Sequence, residues 1–368
     1  MHQFFSKTLS FAACLALVHA LAFASPSAVD SESDAWAAAM SAKQTALKQN
    51  TGHAAAAAVF ETFAKTYPDS AKAREAWIEA GVCWVGQGRG MQLLHKNPPP
   101  AERALQNALA HFKRFVDEHP EDPSAARAQY MRGATLSFLN DLEGAEQEYT
   151  TAIERYSKDA KYYARSLERR ASTRRHLLSY DLALEDLRQY QKDLASGAIE
   201  GGSEEAKSVA RQLHLSSMIG KPAPALQADA WVQGDPVELA SLAGSVVAVY
   251  FFASWCPSCN KEREFMNDLL QRYSGPGLHI VGVVDHSEGQ TVTSMQAYLA
   301  TNPVIFPVLM DAPIDPKKPD AGGKTTMAYL GSKLPDLVLI DRSGKIRWRD
   351  SPSVLNDWTV EALLSEKP

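Results

Sequence analysis

Residues 246–252 form an unbroken apolar run, Val-Val-Ala-Val-Tyr-Phe-Phe, and Cys256-Pro257-Ser258-Cys259 follows four residues later. A run of this kind is what a central strand covered on both faces requires. Residues 257–273 suit a helix whose inner face carries Phe265, Leu269, Leu270 and Tyr273. The chain therefore hands a buried strand to a helix at a pair of thiols. A helix N-terminus offers unpaired N–H groups and a positive dipole end, both of which favour a thiolate. A cysteine at that junction can act as a nucleophile, and a second cysteine three residues on can resolve the mixed disulfide it forms.

The rest of this half alternates in the same way. Short strands are expected at residues 237–239, 279–285, 306–310, 335–340 and 345–348, with helices at 292–299 and 360–364. Asp341-Arg342-Ser343-Gly344 is a good hairpin turn between the last two strands. Strands interrupted by helices imply a three-layer α/β domain, with helices covering a mixed sheet.

The first half reads differently. Residues 31–194 are dominated by alanine, glutamate, arginine and leucine, all good helix formers. The helical runs stop at similar punctuation: Tyr67-Pro68-Asp69-Ser70, His119-Pro120-Glu121-Asp122 and Tyr156-Ser157-Lys158-Asp159. Residues 58–68 and 110–120 align with their phenylalanines and proline in register. Tyr130, Gly133, Ala134, Ala145, Tyr149 and Ala152 fit the paired helices of tetratricopeptide repeats, which this region resembles, with spacings longer than that family's 34 residues. The resemblance implies about three helical hairpins, with an insertion at Asn97-Pro98-Pro99-Pro100 and Pro100 placed to start a helix. Stacked hairpins commonly present a curved surface to a peptide or protein, and the alternative is a spacer or dimerisation element. The basic cluster Arg165, Arg169, Arg170, Arg174 and Arg175 is expected to be a solvated helix face, the alternative being a receptor for an acidic segment. Cys83, inside an apolar run, reads as buried and inert. Residues 195–218, with Gly197, Gly201, Gly202 and Gly220 in or near them, read as a linker that holds a short helix at 204–215.

Residues 1–24 read as a secretory signal, with Lys7 ahead of an apolar stretch and Ala22-Phe23-Ala24 placed for cleavage before Ser25. Cys14 would leave with it. The three remaining cysteines, Cys83, Cys256 and Cys259, are too few to staple a scaffold, so stability must come from ordinary cores. The expected organisation is a signal at 1–24, a helical repeat domain at 31–194, a linker at 195–218 and an α/β domain at 219–368. The formal net charge of the 368-residue chain is −5, with both signs interspersed, which gives no argument for nucleic acid. Export with a spaced cysteine pair argues for an oxidising compartment, the bacterial periplasm. The product is expected to be soluble after cleavage and without membrane association.

The second half resembles the thioredoxin fold, most closely the exported TlpA/ResA-like branch that shares its lead-in with alkyl hydroperoxide reductase (AhpC/TSA) proteins. Gly220-Lys221-Pro222-Ala223-Pro224 matches the family's entry, and residues 246–259 continue it. The resemblance implies a nucleophile at Cys256, a resolving partner at Cys259 and a redox disulfide between them. Trp255 matches the tryptophan before the reactive cysteine, and Pro257 and Ser258 complete the motif. Glu262 matches an acidic residue kept near the pair, and Leu334-Pro335 a cis proline that faces the disulfide. There are departures. Tyr250 stands where cytosolic thioredoxins bury an aspartate, so Glu262 is the candidate proton acceptor. Glu264 replaces a proline, and Asp336 stands where an uncharged residue is usual; a carboxylate there would disfavour a thiolate. Residues 311–324 form a polar insertion, expected as a loop.

These matches imply a thiol–disulfide oxidoreductase, more readily a reductase than an oxidase, that needs no cofactor. Its partners would be a disulfide-containing protein and a thiol donor that recharges the pair. A peroxiredoxin-like peroxidase is one alternative, but Ala253 stands where that chemistry needs a hydroxyl. Zinc binding lacks a second cysteine pair or nearby histidine to complete four ligands. The non-enzymatic alternative is an envelope scaffold whose repeats do the binding.

Overall fold

A computed structural model describes residues 31–95, 98–331 and 333–367. The expected signal at 1–24, with Cys14, lies outside the described residues. The chain divides into two compact units, with the division between Ser166 and Leu167.

The first unit is helical: α1 (Glu32–Gln49), α2 (His53–Thr66), α3 (Ala73–His95), α4 (Pro98–Glu118), α5 (Ala125–Phe138) and α6 (Leu142–Arg155). Each packs on the next. Helix α4 begins at Pro98 rather than Pro100, as proline loses no hydrogen bond in a first turn. The repeated punctuation becomes a repeated turn. Ser70 N–H bonds to the Tyr67 carbonyl, Asp122 to His119 and Asp159 to Tyr156, at 3.0, 3.1 and 3.0 Å. The residues ahead of each turn are buried in register: Phe60 and Phe63, Phe112 and Phe115, Tyr149 and Ala152. Glycine sets the closeness of two hairpins. A Cβ at Gly81 would lie 2.7 Å from the Phe112 ring, and one at Gly133 would lie 2.7 Å from the Tyr149 ring. Buried Glu79 takes ion pairs from Lys43 at 2.5 Å and Arg127 at 2.7 Å. Burial opposes its ionisation, but the two cations prevail and hold its pKa below the usual value. Cys83 is buried, and desolvation pushes its thiol up to about 12, which keeps it inert at neutral pH.

Helix α7 (Ala160–His176) crosses the division, and the second unit continues with α8 (Tyr180–Ser196) and α9 (Ser203–Ser216). The division falls well before residues 195–218 because the end of α7 and the start of α8 are tied to elements near the C-terminus. Arg175 pairs with Asp350 at 2.8 Å, and the His176 carbonyl accepts from Thr359 Oγ1 at 3.1 Å. Leu178 and Tyr180 pack against the core that holds residues 246–252. The arginine cluster is therefore not simply a solvated face. Arg170 and Arg174 both grip Asp186, which is buried on α8, while Arg165 lies over the Tyr162 ring.

The sheet contains β1 (Ala228–Gln233), β2 (Val246–Phe251), β3 (Leu278–Val284), β4 (Val308–Asp311), β5 (Asp336–Ile340) and β6 (Ile346–Asp350), in the order β1-β4-β3-β2-β5-β6. Strands β2, β3 and β4 are parallel, and β1, β5 and β6 join antiparallel. Every residue of β2 is buried, because both faces are covered. Val246, Ala248 and Tyr250 face a core built with α10 (Pro257–Tyr273), α11 (Val292–Thr301) and α13 (Asp357–Ser365). Val247, Val249 and Phe251 face the other core, which takes Met218, Leu239, Leu242 and Tyr329. This is the helix-covered mixed sheet that the thioredoxin resemblance implies. The strand expected at 237–239 is instead the approach to a 3-10 turn over Leu239–Leu242. Leu239 and Leu242, three apart, eclipse on one side of such a turn and both reach the core. The edge strand lies upstream at β1. Within 311–324, Asp311 ends β4, and its buried carboxylate accepts the Thr325 and Thr326 N–H groups, each at 2.8 Å, at the start of α12 (Lys324–Ala328).

Candidate active site

The site grows from the end of β2. Its strand registers with β3 as far as Phe251 and Val283, so the loops beyond the two strands lie side by side. Gln290, from the loop after β3, is nearly buried and joins them. Its Oε1 accepts from Ser254 N at 2.8 Å and Ser254 Oγ at 2.9 Å, and its Nε2 donates to the Asp285 carbonyl at 2.9 Å. No motif singles out Gln290 in the sequence. Its one signal there is a glutamine in the loop beyond one of two adjacent apolar strands. Trp255 is 46% exposed, and its Nε1 donates to Ser287 Oγ at 3.2 Å. The indole is thus held to the β3 loop while nearly half of a large apolar surface stays open beside Cys256.

Cys256 is the N-cap of α10, with extended backbone, and Pro257 occupies the first turn. The Cys259 N–H donates to Cys256 Sγ at 3.1 Å. A helix N-terminal N–H aimed at sulfur stabilises negative charge there. Cys256 and Cys259 are joined as a disulfide with Cα atoms 5.3 Å apart, and both are buried. The two residues differ little in burial in this oxidised form.

Behind the pair, Tyr250 stands on the buried face of β2. Its hydroxyl lies 3.5 Å from the Cys259 carbonyl, and its ring stacks on Phe252. Burial pushes its pKa up, so it stays a neutral phenol. Glu262 lies one turn beyond Cys259 and is half-buried. Burial raises its pKa, and a hydrogen bond with Ser353 acts the other way. Glu264 is exposed.

The Leu334–Pro335 bond is cis. Leu334 lines a cleft of about 520 Å³ together with Trp255, Cys256, Ser258 and Thr326. Pro335, Ser258 and Glu262 line an adjoining cleft of about 380 Å³. The structure therefore gathers the expected site residues around two neighbouring openings. Asp336 is buried and ion-paired with Arg349 at 2.5 Å. Burial pushes its carboxyl up and the guanidinium acts against that rise. The carboxylate beside the proline is thus matched by a cation from β6, which nothing local in the sequence marks as its partner. Among the described residues no helix is long and apolar enough to cross a membrane.

Residues 219–349 match the AhpC/TSA family. The thiol-disulfide oxidoreductase ResA of Bacillus cereus is 30% identical over 128 residues, 35% of this chain and 66% of the relative. ResA of Bacillus subtilis is 30% identical over 113 residues, 31% of this chain and 56% of the relative. The chain thus spans less than two thirds of the length of these two curated relatives. Among solved structures, a thiol:disulfide interchange protein of the thioredoxin family from Chlorobium tepidum is 27% identical. That match covers 39% of this chain and 96% of the other, with a TM-score of 0.32.

Proposed function

From an AhpC/TSA-family domain of thioredoxin fold at residues 219–349, we propose that this chain is a thiol–disulfide oxidoreductase working on a protein partner through Cys256 and Cys259. The observation that carries the reading is the disulfide at the N-terminus of α10, with the Cys259 N–H donated to Cys256 Sγ. In the reductive direction, Cys256 thiolate attacks one sulfur of the partner disulfide. A mixed disulfide forms and one partner thiolate leaves, to take a proton. Cys259 then passes its proton to Glu262, whose raised pKa suits it to the task. It attacks Cys256 Sγ and releases the second partner thiolate. The pair ends oxidised, as in the structure, and a separate dithiol must return the two electrons.

Ala253 is buried and carries no hydroxyl to position a peroxide, which favours exchange over peroxidase chemistry. The reading places the protein outside the cytoplasm, on the signal at residues 1–24. It gives the helical repeats, read as tetratricopeptide-like, the task of holding the partner.

Cys259→Ser tests the reaction. It should stall as a mixed disulfide on Cys256 that is released by dithiothreitol, while Cys256→Ala traps nothing and Cys83→Ala exchanges normally. Absence of any Cys256-linked protein under these conditions sinks the proposal. Glu262→Gln should slow release of the mixed disulfide more than its formation. Equal slowing of both steps in stopped flow removes Glu262 from the resolving role.

A further inference from the structure

The smaller of the two openings is a charged cleft, and part of it comes from outside the family domain. Helix α9 supplies Arg211, helix α10 supplies Lys261, and the loop before the cis bond supplies Lys333. Two further arginines line the cleft, but each already holds a carboxylate: Arg349 holds Asp336 and Arg175 holds Asp350. Arg211, Lys261 and Lys333 make no ion pair among the described residues, and all three are exposed. Among the described residues Glu262 is the one lining carboxylate without an ion pair. Five cationic side chains against three carboxylates in its lining leave the cleft positive.

Its place beside the redox pair gives this charge a use. Ser258, Lys333 and Leu334 line both this cleft and the cleft that holds Cys256. The two clefts are thus continuous at Lys333, which gives a polypeptide whose disulfide sits at Cys256 a path toward Arg211. Cations from three separate elements converging on one opening suit carboxylates spread along a segment rather than a single point charge.

We propose that the cleft between α9 and the active-site loops is a subsite for an acidic segment flanking the disulfide of the protein substrate. The subsite rests on the exchange reading above. It makes α9, which precedes residues 219–349, a specificity element of the enzyme. Opposite charge across such a site raises encounter rates and fixes register, and both effects weaken with salt.

The test uses the full chain and three cyclic disulfide peptides that differ only in the flanking residues: two Glu, two Gln or two Lys. At low salt the second-order exchange rate should fall in that order, by about ten-fold from Glu to Lys, and the gap should close at high salt. Arg211→Gln combined with Lys333→Gln should bring the Glu-to-Lys ratio close to one. Lys207→Gln, on the same helix but paired with Glu204, should preserve the ratio. Equal rates for the three peptides, with exchange proceeding, overturn the subsite and leave the exchange reading intact. Exchange with none of them overturns the exchange reading. Calorimetry with the same peptides carrying serine for cysteine then judges the subsite alone. Tighter binding of the Glu peptide that is lost in the double variant upholds it, and no preference overturns it.

Discussion

Arg349 and Asp336 have side chains only 1% and 3% exposed, and Arg349 also donates to the carbonyls of Tyr329 and Gly331. A buried pair of this kind is costly to break from one side, because the surviving charge is left without water or partner. Arg349→Met should cost about 3–5 kcal/mol of stability, read from the shift of the urea midpoint, and adding Asp336→Asn should recover part of it. A loss below about 1 kcal/mol would show that the pair is not what holds β5 to β6 here. Glu262 gives the second prediction at this scale. Its folded pKa lies above the unfolded value, so the folded state binds its proton more tightly. Stability then declines as pH rises from the unfolded value through the folded one, and is flat above. Glu262→Gln lacks this decline and should gain on the parent between acid and neutral pH. Parallel curves for the two proteins would contradict the shift. Glu262 and Asp336 are both visible in the sequence as carboxylates near the cysteines. Their different situations are not, because Arg349 is thirteen residues from one and Ser353 ninety-one from the other.

Helix α7 ends as a docking element. His176 hydrogen-bonds Thr359 of α13 through its ring at 3.3 Å and stands over Trp348 of β6 at 5.8 Å. Burial, with help from Arg175, depresses its pKa to about 4. A histidine neutral when folded but protonated when unfolded stabilises fully above the unfolded pKa of about 6.5. That contribution is lost as pH falls toward about 4, and amounts to roughly 3 kcal/mol. His176→Asn should therefore lose less stability than the parent between pH 6.5 and 4, although it starts lower at neutral pH. Equal losses in chemical denaturation across that window would remove the histidine from this role. Element types were largely legible: Pro257–Tyr273 forms one helix as its spacing requires, and the Asp341 turn closes with Ser343 and Lys345 N–H groups on its carboxylate. Residues 237–239 failed because three alternating residues fit a short strand and the approach to a 3-10 turn equally well, and β1 and α12 were not expected at all.

At the scale of the molecule, the unit that contains the redox pair begins at Leu167, inside α7. Leu178 and Tyr180 lie against its core, and Arg175 and His176 tie into β6 and α13. A fragment starting at Ser157, which keeps α7 whole, should unfold in one cooperative transition. A fragment starting at Ile219 should be less stable by about 2–4 kcal/mol, since Leu178, Tyr180 and Met218 and their contacts are gone. Equal stability of the two would mean that α7 and α8 add nothing to the fold beyond the sheet. The shorter fragment also lacks Arg211, so the acidic-substrate preference should be absent from it even where exchange survives.

By itself the sequence determined the parts whose causes are local or periodic. A continuous apolar run had to be a covered strand, the cysteines had to open the following helix, and repeated aromatic–turn spacing had to give repeated helical hairpins. Tertiary structure alone decided which distant charges meet. Asp186 gathers Arg170 and Arg174, Asp336 takes Arg349, and Arg211, Lys261 and Lys333 are brought to one cleft with no ion pair among the described residues. Propensity and periodicity act over one or two turns of chain. Ion pairing and clefts depend on separations in space, and those exist only once β2, β5 and β6 have paired and α9 has packed beside them.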